Sequence, residues 1–233
     1  MLVYGKNVCE DLLKNQKKVK KVILQDNFDD KKIISLIEKF KLPVEKVSKK
    51  KIDDLCSGLH QGIILDIPDY QYINLDTFIR EDTFGFVVML DHLEDPHNLG
   101  AIIRTCEAAG VKYIIVPSAR EVLVNSTVMK VSVGCLNHVQ LVKVSNINQA
   151  IDLLKRNGYW IVGTSLEDSV DYREIDYRGK ICLIIGNEGS GISHLVSKNC
   201  DFLAKIPMYG TTNSLNASVA AGIMIYEVIR NRK

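Results

Sequence analysis

The sequence predicts an α/β fold, with a mostly parallel sheet in a larger unit preceded by a smaller α/β unit. Three observations carry that expectation. From Phe84 onward short apolar runs alternate with segments of helical periodicity. The runs Gly85–Leu90 and Ile181–Ile185 are apolar at nearly every position, the pattern of strands buried on both faces. Between residues 68 and 82 periodicity lapses in a stretch rich in Asp, Tyr and Asn. The expected organisation is therefore a small unit over 1–67, a linker over 68–82 and a large unit over 83–233.

In the small unit a helix from Val8 to Asn15 leads to a strand Val19–Gln25. The next helix, Lys31–Phe40, carries an apolar stripe of Ile33, Ile34 and Ile37. Strands near Val44–Val47 and Gly62–Ile67 complete the unit. In the large unit the strand Gly85–Leu90 is followed by the helix Leu99–Ala109, whose stripe is Leu99, Ile102, Ile103, Cys106 and Ala109 and which Gly110 ends. The strand Tyr113–Val116, the helix Ile147–Asn157 and the strands Tyr159–Thr164 and Ile181–Ile185 come next. A helix Ile192–Lys198, a strand Phe202–Ile206 and a helix Leu215–Arg230 finish the chain.

Hydrophobic content of 46% with 25% charged residues is that of a soluble globular protein. The net charge of +2 conceals an asymmetry, because residues 1–70 hold 14 Lys and no Arg against 11 acidic residues. The excess lies in Lys14, Lys17, Lys18, Lys20 and Lys21, and in Lys46, Lys49, Lys50 and Lys51. Such patches suit nucleic acid, although solvated helix and loop faces have the same composition. Six cysteines without a C-x-x-C pair are expected as reduced, mostly buried thiols. No secretory signal and no long apolar span is visible, so a cytoplasmic protein without a membrane partner is expected. The five histidines show no ligand spacing, so no metal is expected. There is no G-x-S-x-G elbow and no G-x-x-x-x-G-K-[ST] phosphate loop.

Three loops concentrate the chemistry. In Leu90-Asp-His-Leu-Glu-Asp-Pro-His-Asn-Leu-Gly-Ala-Ile-Ile-Arg104, Pro96 holds Asp95 extended and Asn98 is placed to cap the helix. Arg104 lies off the apolar stripe, suited either to a surface pair with Glu107 or to reaching a phosphate. The second loop, Gly186-Asn-Glu188-Gly-Ser-Gly191, has glycines in an order that differs from the dinucleotide fingerprint and that lets a flat ligand approach the backbone. In the third, Thr211, Thr212, Asn213 and Ser214 precede Leu215-Asn216-Ala217-Ser218. The helix that follows is made slim by Ser218, Ala220, Ala221 and Gly222. Loops at the ends of three strands can converge on one pocket.

In order, spacing and residue type these loops closely resemble the three motifs of the SpoU/TrmH-type RNA 2′-O-ribose methyltransferases of the SPOUT superfamily. The first is Asn98 followed six residues later by Arg104, the second is G-x-E-G-x-G around Glu188, and the third is S-L-N-x-S from Ser214 to Ser218. Ala217 stands where relatives often carry valine. Upstream, Tyr4-Gly5-Lys6-Asn7 and His60-Gln61-Gly62 resemble the L30e-like RNA-binding domain of the subgroup that methylates a guanosine in 23S ribosomal RNA.

The resemblance implies a C-terminal trefoil knot that binds S-adenosyl-L-methionine. It places Gly186, Ile206 and Leu215 on the cofactor through backbone groups, with Thr164 at its adenine end. Arg104 would be the catalytic base, aided by the target's phosphate, and Asn98, Glu188, Ser214 and Asn216 would position Arg104, the ribose and the loop. Lys17, Lys18 and Arg104 would contact RNA. The resemblance further implies a homodimer with 23S rRNA as partner. A tRNA ribose methyltransferase and a non-catalytic ribosome-assembly factor are the alternative readings.

Overall fold

The computed structural model describes all residues except Gln16, Ser57, Glu188 and Lys233. From the N-terminus run β1 (Leu2–Tyr4), α1 (Lys6–Lys14), β2 (Lys21–Gln25), α2 (Lys31–Lys39), β3 (Val44–Val47), α3 (Lys49–Leu55) and β4 (Ile63–Asp66). Then follow α4 (Leu75–Glu81), β5 (Phe86–Asp91), α5 (Pro96–Ala108), β6 (Tyr113–Pro117), α6 (Ser126–Ser132), β7 (Gln140–Val144) and α7 (Ile147–Arg156). The chain ends with β8 (Tyr159–Thr164), β9 (Val170–Asp171), β10 (Lys180–Gly186), α8 (His194–Asn199), β11 (Phe202–Lys205) and α9 (Ala217–Asn231). Two compact units divide these elements: Met1–Gln71 with Val124–Leu136, and Tyr72–Leu123 with Asn137–Lys233.

The smaller unit holds a four-stranded sheet ordered β1-β4-β2-β3, in which only β2 and β3 run parallel. Its core forms where α1 and α2 set Leu12, Leu13, Ile33 and Ile37 against Val3, Val22, Ile63 and Leu65. The short β1 and α3 do not emerge from sequence periodicity. Three residues are too few to show a period, and α3 buries Ile52 alone behind a Ser48 cap that accepts from the Lys51 amide at 3.4 Å.

The larger unit is built on a seven-stranded sheet, β7-β6-β5-β10-β8-β11-β9, with every pairing parallel. Val87, Met89, Cys182 and Ile184 face one layer with Ile151 and Leu154 of α7. The alternate residues Val88, Leu90, Leu183 and Ile185 are buried as well. Continuous apolar strands and a sheet covered on both faces are thus the same fact.

The expected linker over 68–82 is corrected in part, because from Tyr72 onward it belongs to the larger unit and folds as α4. Asn74 caps this helix by accepting from the Thr77 amide at 2.8 Å. Phe78 is wholly buried, edge-on to Tyr113 with ring centroids 5.0 Å apart. Seven residues provide a single apolar turn, Leu75, Phe78 and Ile79, which is too little periodicity to stand out. The strand β7 does not stand out in the sequence either, since its apolar residues are interrupted by Lys143 at the edge of the sheet.

At the other end of the chain Arg232 donates to the carbonyls of Gly85 (3.0 Å) and Gly179 (2.8 Å) and stacks on the Phe84 ring. The last helix is thereby tied to the starts of β5 and β10. The cysteines are free thiols, and burial pushes that of Cys9 up to about 12. Among the described residues no helix is long and apolar enough to cross a membrane.

If α4 is part of the core, Phe78→Ala should cost about 3–5 kcal/mol. Urea denaturation of the two proteins measures this, and a cost near zero would restore the linker assignment.

Candidate active site

The register of the sheet brings the chemistry together. Asp91 at the end of β5 lies opposite Gly186 at the end of β10, and Gly163 of β8 pairs with Ile184. The loops leaving these strands therefore start from one edge, the carboxyl ends of parallel strands, where open α/β sheets bind ligands. At Gly186 a side chain has no room: a Cβ would stand 2.2 Å from the carbonyl carbon of Gly191 and 2.3 Å from the nitrogen of Ile192. The loop folds back on its own strand through this contact. Asn187 and Gly191 close it with reciprocal backbone bonds of 3.0 Å, and the Asn187 side chain accepts from the Gly189 amide at 2.8 Å.

Two residues that the motif reading missed fasten this loop to the first one. Asp91 is 1% exposed, with one carboxylate oxygen 2.5 Å from His92 Nδ1 and the other accepting from the Ser193 amide at 2.7 Å. His92 holds the left-handed conformation, φ +62°, and its carbonyl accepts from Asn187 Nδ2 at 2.8 Å. A carboxylate directly after five buried apolar strand residues was the available sequence signal.

The first helix starts earlier than its periodicity suggests. Asp95, not Asn98, is its cap, accepting from the His97 amide at 2.8 Å, with Pro96 as the first helical residue. Asn98 is instead buried in the first turn, where its Oδ1 accepts from Asn216 Nδ2 at 3.0 Å. Asn216 caps α9 by accepting from the amides of Ser218 (2.9 Å) and Val219 (3.3 Å). One side chain thus starts the last helix and joins it to α5. Gly222 of α9 faces Thr105 of α5, yet a Cβ there would lie 4.0 Å from the threonine methyl, so the slimness expected of α9 is not demanded at that point. Arg104 is exposed on α5, and among the described residues neither Glu107 nor any other group pairs with its guanidinium.

A cavity of about 950 Å³ opens among these loops. Thr164, Gly186, Ile206, Ser214 and Leu215 all line it, together with Asn187 and Ile192. Thr164 is fixed by donating from Oγ1 to the Ile184 carbonyl at 3.2 Å. A second hollow of about 610 Å³ adjoins it, between Leu166, Met208 and Asn213. Asn98, Asn216 and Arg104 are outside both linings, and Glu188 lies outside the described residues. The structure therefore gathers the four expected cofactor residues with Ser214, and separately joins Asn98 to Asn216. Among the described residues no cluster of His, Cys, Asp and Glu could hold a metal ion.

In the smaller unit Lys17 and Lys18 are exposed and, among the described residues, unpaired. Elsewhere in the run Lys14 pairs with Glu10 at 2.6 Å and Lys21 with Glu45, whereas the Lys20 ammonium, like those of Lys17 and Lys18, has no partner among the described residues. Hydrogen bonds from Lys21 and Lys51 hold the Glu45 carboxyl down at about 2. The two upstream motifs meet, since the Lys6 amide donates to Gln61 Oε1 at 2.9 Å.

The link between the first and third loops can be weighed by a double-mutant cycle. Asn216→Ala should cost about 1–2 kcal/mol, as loss of both a cap and a buried partner. Its coupling to Asn98→Ala should be about 0.5–1.5 kcal/mol in urea denaturation, whereas additive effects would mean that the bond contributes nothing.

With this geometry the chain can be set beside known proteins. The model of the SpoU rRNA Methylase family matches residues 85–226, and that of RNA 2′-O ribose methyltransferase substrate binding matches residues 2–73. A Staphylococcus saprophyticus protein named as a TrmH family tRNA/rRNA methyltransferase is 42% identical over 100% of this chain and 96% of its own. Among solved structures, an AdoMet-bound rRNA methyltransferase from Sinorhizobium meliloti is similar over 98% of this chain and 86% of its own, with TM-score 0.80 and 28% identity. A TrmH/SpoU tRNA modifying enzyme of A. aeolicus is similar over 67% of this chain and 83% of its own, with TM-score 0.59 and 34% identity. The chain belongs to the SpoU rRNA methylase family, as an RNA methyltransferase of the TrmH/SpoU type.

Proposed function

We propose that the chain transfers a methyl group from S-adenosylmethionine to the 2′-hydroxyl of a guanosine ribose in 23S ribosomal RNA. The observation that carries this reading is the single cavity into which Thr164, Gly186, Ile206 and Leu215 converge. Its volume falls within the range of about 300–1,000 Å³ usual for small-ligand sites. The lining also suits the cofactor. Main-chain groups at strand ends and a glycine turn offer hydrogen bonds to its polar edges, and Leu166, Ile206 and Leu215 offer apolar faces to a flat ring. When bound there, the cofactor supplies an electrophilic methyl group on a sulfonium.

The chain's own residues then have distinct tasks. Gly186, Ile206 and Leu215 hold the cofactor largely by backbone groups, and Thr164 borders its adenine. Arg104, an unpaired cation, takes the phosphate beside the target ribose, for which a guanidinium's planar fork is suited. Asn98 and Asn216 keep the helix that carries Arg104 in place against α9, and Ser214 adjoins the ribose; for Glu188 we keep the positioning role that the motif resemblance implies.

The ribosomal target is favoured over transfer RNA by the extent of the likeness. The Sinorhizobium rRNA enzyme matches nearly the whole chain, whereas the A. aeolicus tRNA enzyme matches two thirds of it. The remainder accords with a separate substrate-binding unit, which we assign to RNA through Lys17 and Lys18. Homodimer formation and a knotted C-terminal segment belong to the same reading. Val219 and Tyr226 stand exposed seven residues apart on α9, an apolar stripe available to a second copy.

Incubation with labelled S-adenosylmethionine and separate 23S rRNA and tRNA, followed by mapping of the modified ribose, tests the proposal. Label on a 23S guanosine 2′-oxygen is expected; label on a base, or on tRNA alone, would refute it. Arg104→Ala should abolish turnover while cofactor affinity stays intact, and normal turnover would remove Arg104 from the mechanism. Lys17→Ala with Lys18→Ala should weaken RNA binding and flatten its steep salt dependence. An unchanged RNA dissociation constant would make both lysines ordinary surface residues.

A further inference from the structure

We propose that the hollow between Leu166, Met208 and Asn213 receives the base of the nucleotide whose ribose is methylated; this rests on the ribose-methyltransferase reading above. The chemistry demands such a place. A base is carried on C1′ of its ribose, which is bonded directly to C2′. A 2′-hydroxyl therefore cannot meet the methyl group unless its base lodges immediately beside the cofactor. Bases bound in this way are unstacked, in loops or flipped from a helix. Proteins hold them by their faces and by hydrogen bonds at their edges.

The hollow meets that demand in position and size. Leu166, Lys205, Ile206, Met208 and Asn213 line both it and the cofactor cavity, so the two spaces share a wall. Its volume of about 610 Å³ leaves room for one base. Leu166, on the shared wall, is an apolar side chain left 57% exposed, and Pro207 and Met208 extend the apolar surface. The face of a base would cover that surface and take it out of water.

The polar groups of the hollow are uncommitted. Residues 211–214 are candidate caps in the sequence, yet Asn216 is the cap of α9. Thr212 and Asn213 line the hollow, and among the described residues neither side chain has a hydrogen-bond partner. Among those residues no main-chain hydrogen bond holds 207–214 either. The Asn213 amide sets an acceptor beside donors, which matches a guanine edge, where O6 accepts and the exocyclic amine donates. The Thr212 hydroxyl adds a further hydrogen bond to the base. Lys205 supplies charge, since its ammonium forms no ion pair among the described residues. The Asp171 carboxylate, which feels that charge, is already clamped by Arg173 at 2.9 and 2.5 Å. An open ammonium on the wall suits a phosphate of the incoming nucleotide.

Gly210 gives the test. It lines the hollow but not the cofactor cavity, its φ is not left-handed, and a Cβ there would meet nothing within 4 Å. A side chain at this position therefore enters the hollow without straining the loop. Single-turnover methyl transfer to 23S rRNA is compared for the wild type, Gly210→Ala, Gly210→Phe and Thr212→Val, with S-adenosylmethionine affinity measured by calorimetry and folding by thermal melting. Gly210→Phe should lose at least about 100-fold in rate with cofactor affinity unchanged, because the ribose can no longer be placed. Gly210→Ala should lose far less, and Thr212→Val, which keeps the shape and removes the hydroxyl, about tenfold. A wild-type rate in either Gly210→Phe or Thr212→Val would overturn the proposal, and Thr212→Val alone decides if Gly210→Phe melts early. Weakened cofactor binding in Gly210→Phe would assign the hollow to the cofactor, and equal losses in the two Gly210 variants would trace the effect to the glycine instead of the filled space; each overturns the base site. A wild type that methylates no RNA would overturn the ribose-methyltransferase reading and this proposal with it.

Discussion

The site depends on a place where main chain meets main chain. At the end of β10, Gly186 lies against the Gly191–Ile192 peptide at a separation that excludes even a methyl group. Because the loop can return so closely, Asn187 reaches the carbonyl of His92 and the Ser193 amide reaches the carboxylate of Asp91. These bonds span 95 and 102 residues of sequence. They turn two independent loops into one rigid edge. The third loop joins through Asn216, which satisfies the open amides of α9 with its oxygen and Asn98 with its nitrogen. An asparagine is the side chain that can do both, since its amide has an acceptor and donors a few ångströms apart.

Much of this was legible in the sequence, and the limits were physical. Continuous apolar runs announced β5 and β10 because burial on both faces removes the polar alternation of a half-exposed strand. The helix α4 and the strand β7 escaped notice, being respectively too short and too near the sheet edge for periodicity to accumulate. Asn98 resembles a cap, yet Asp95-Pro96 carries the better signal: proline suits the first helical position, which makes the preceding residue the cap. The convergence of Thr164, Gly186, Ile206 and Leu215 could be anticipated from the motifs. The Asp91–His92 pair could not, since the partner of a buried carboxylate is decided by distant residues such as Ser193.

Charge is arranged in a way that net composition hides. The lysine run of the smaller unit is partly neutralised, as Lys14 and Lys21 are engaged by Glu10 and Glu45 while Lys17 and Lys18 stay open. Arg104 has Glu107 one turn away and yet forms no pair with it. A surface ion pair of that kind contributes only a few tenths of a kcal/mol, so leaving it unmade has little effect on stability. An unpaired guanidinium keeps its donors for an incoming anion.

Asp91 presents the opposite case, a carboxylate withdrawn almost wholly from water. Burying such a charge costs several kcal/mol, and its pairing rarely does more than recover the loss. A packed apolar side chain at the end of β5 would serve stability as well. What an apolar side chain could not do is orient a neighbouring imidazole and receive the Ser193 amide at once. The carboxylate is therefore best understood through direction rather than strength: it sets Nδ1 of His92 as the nitrogen that donates inward and leaves Nε2 as the one that faces outward.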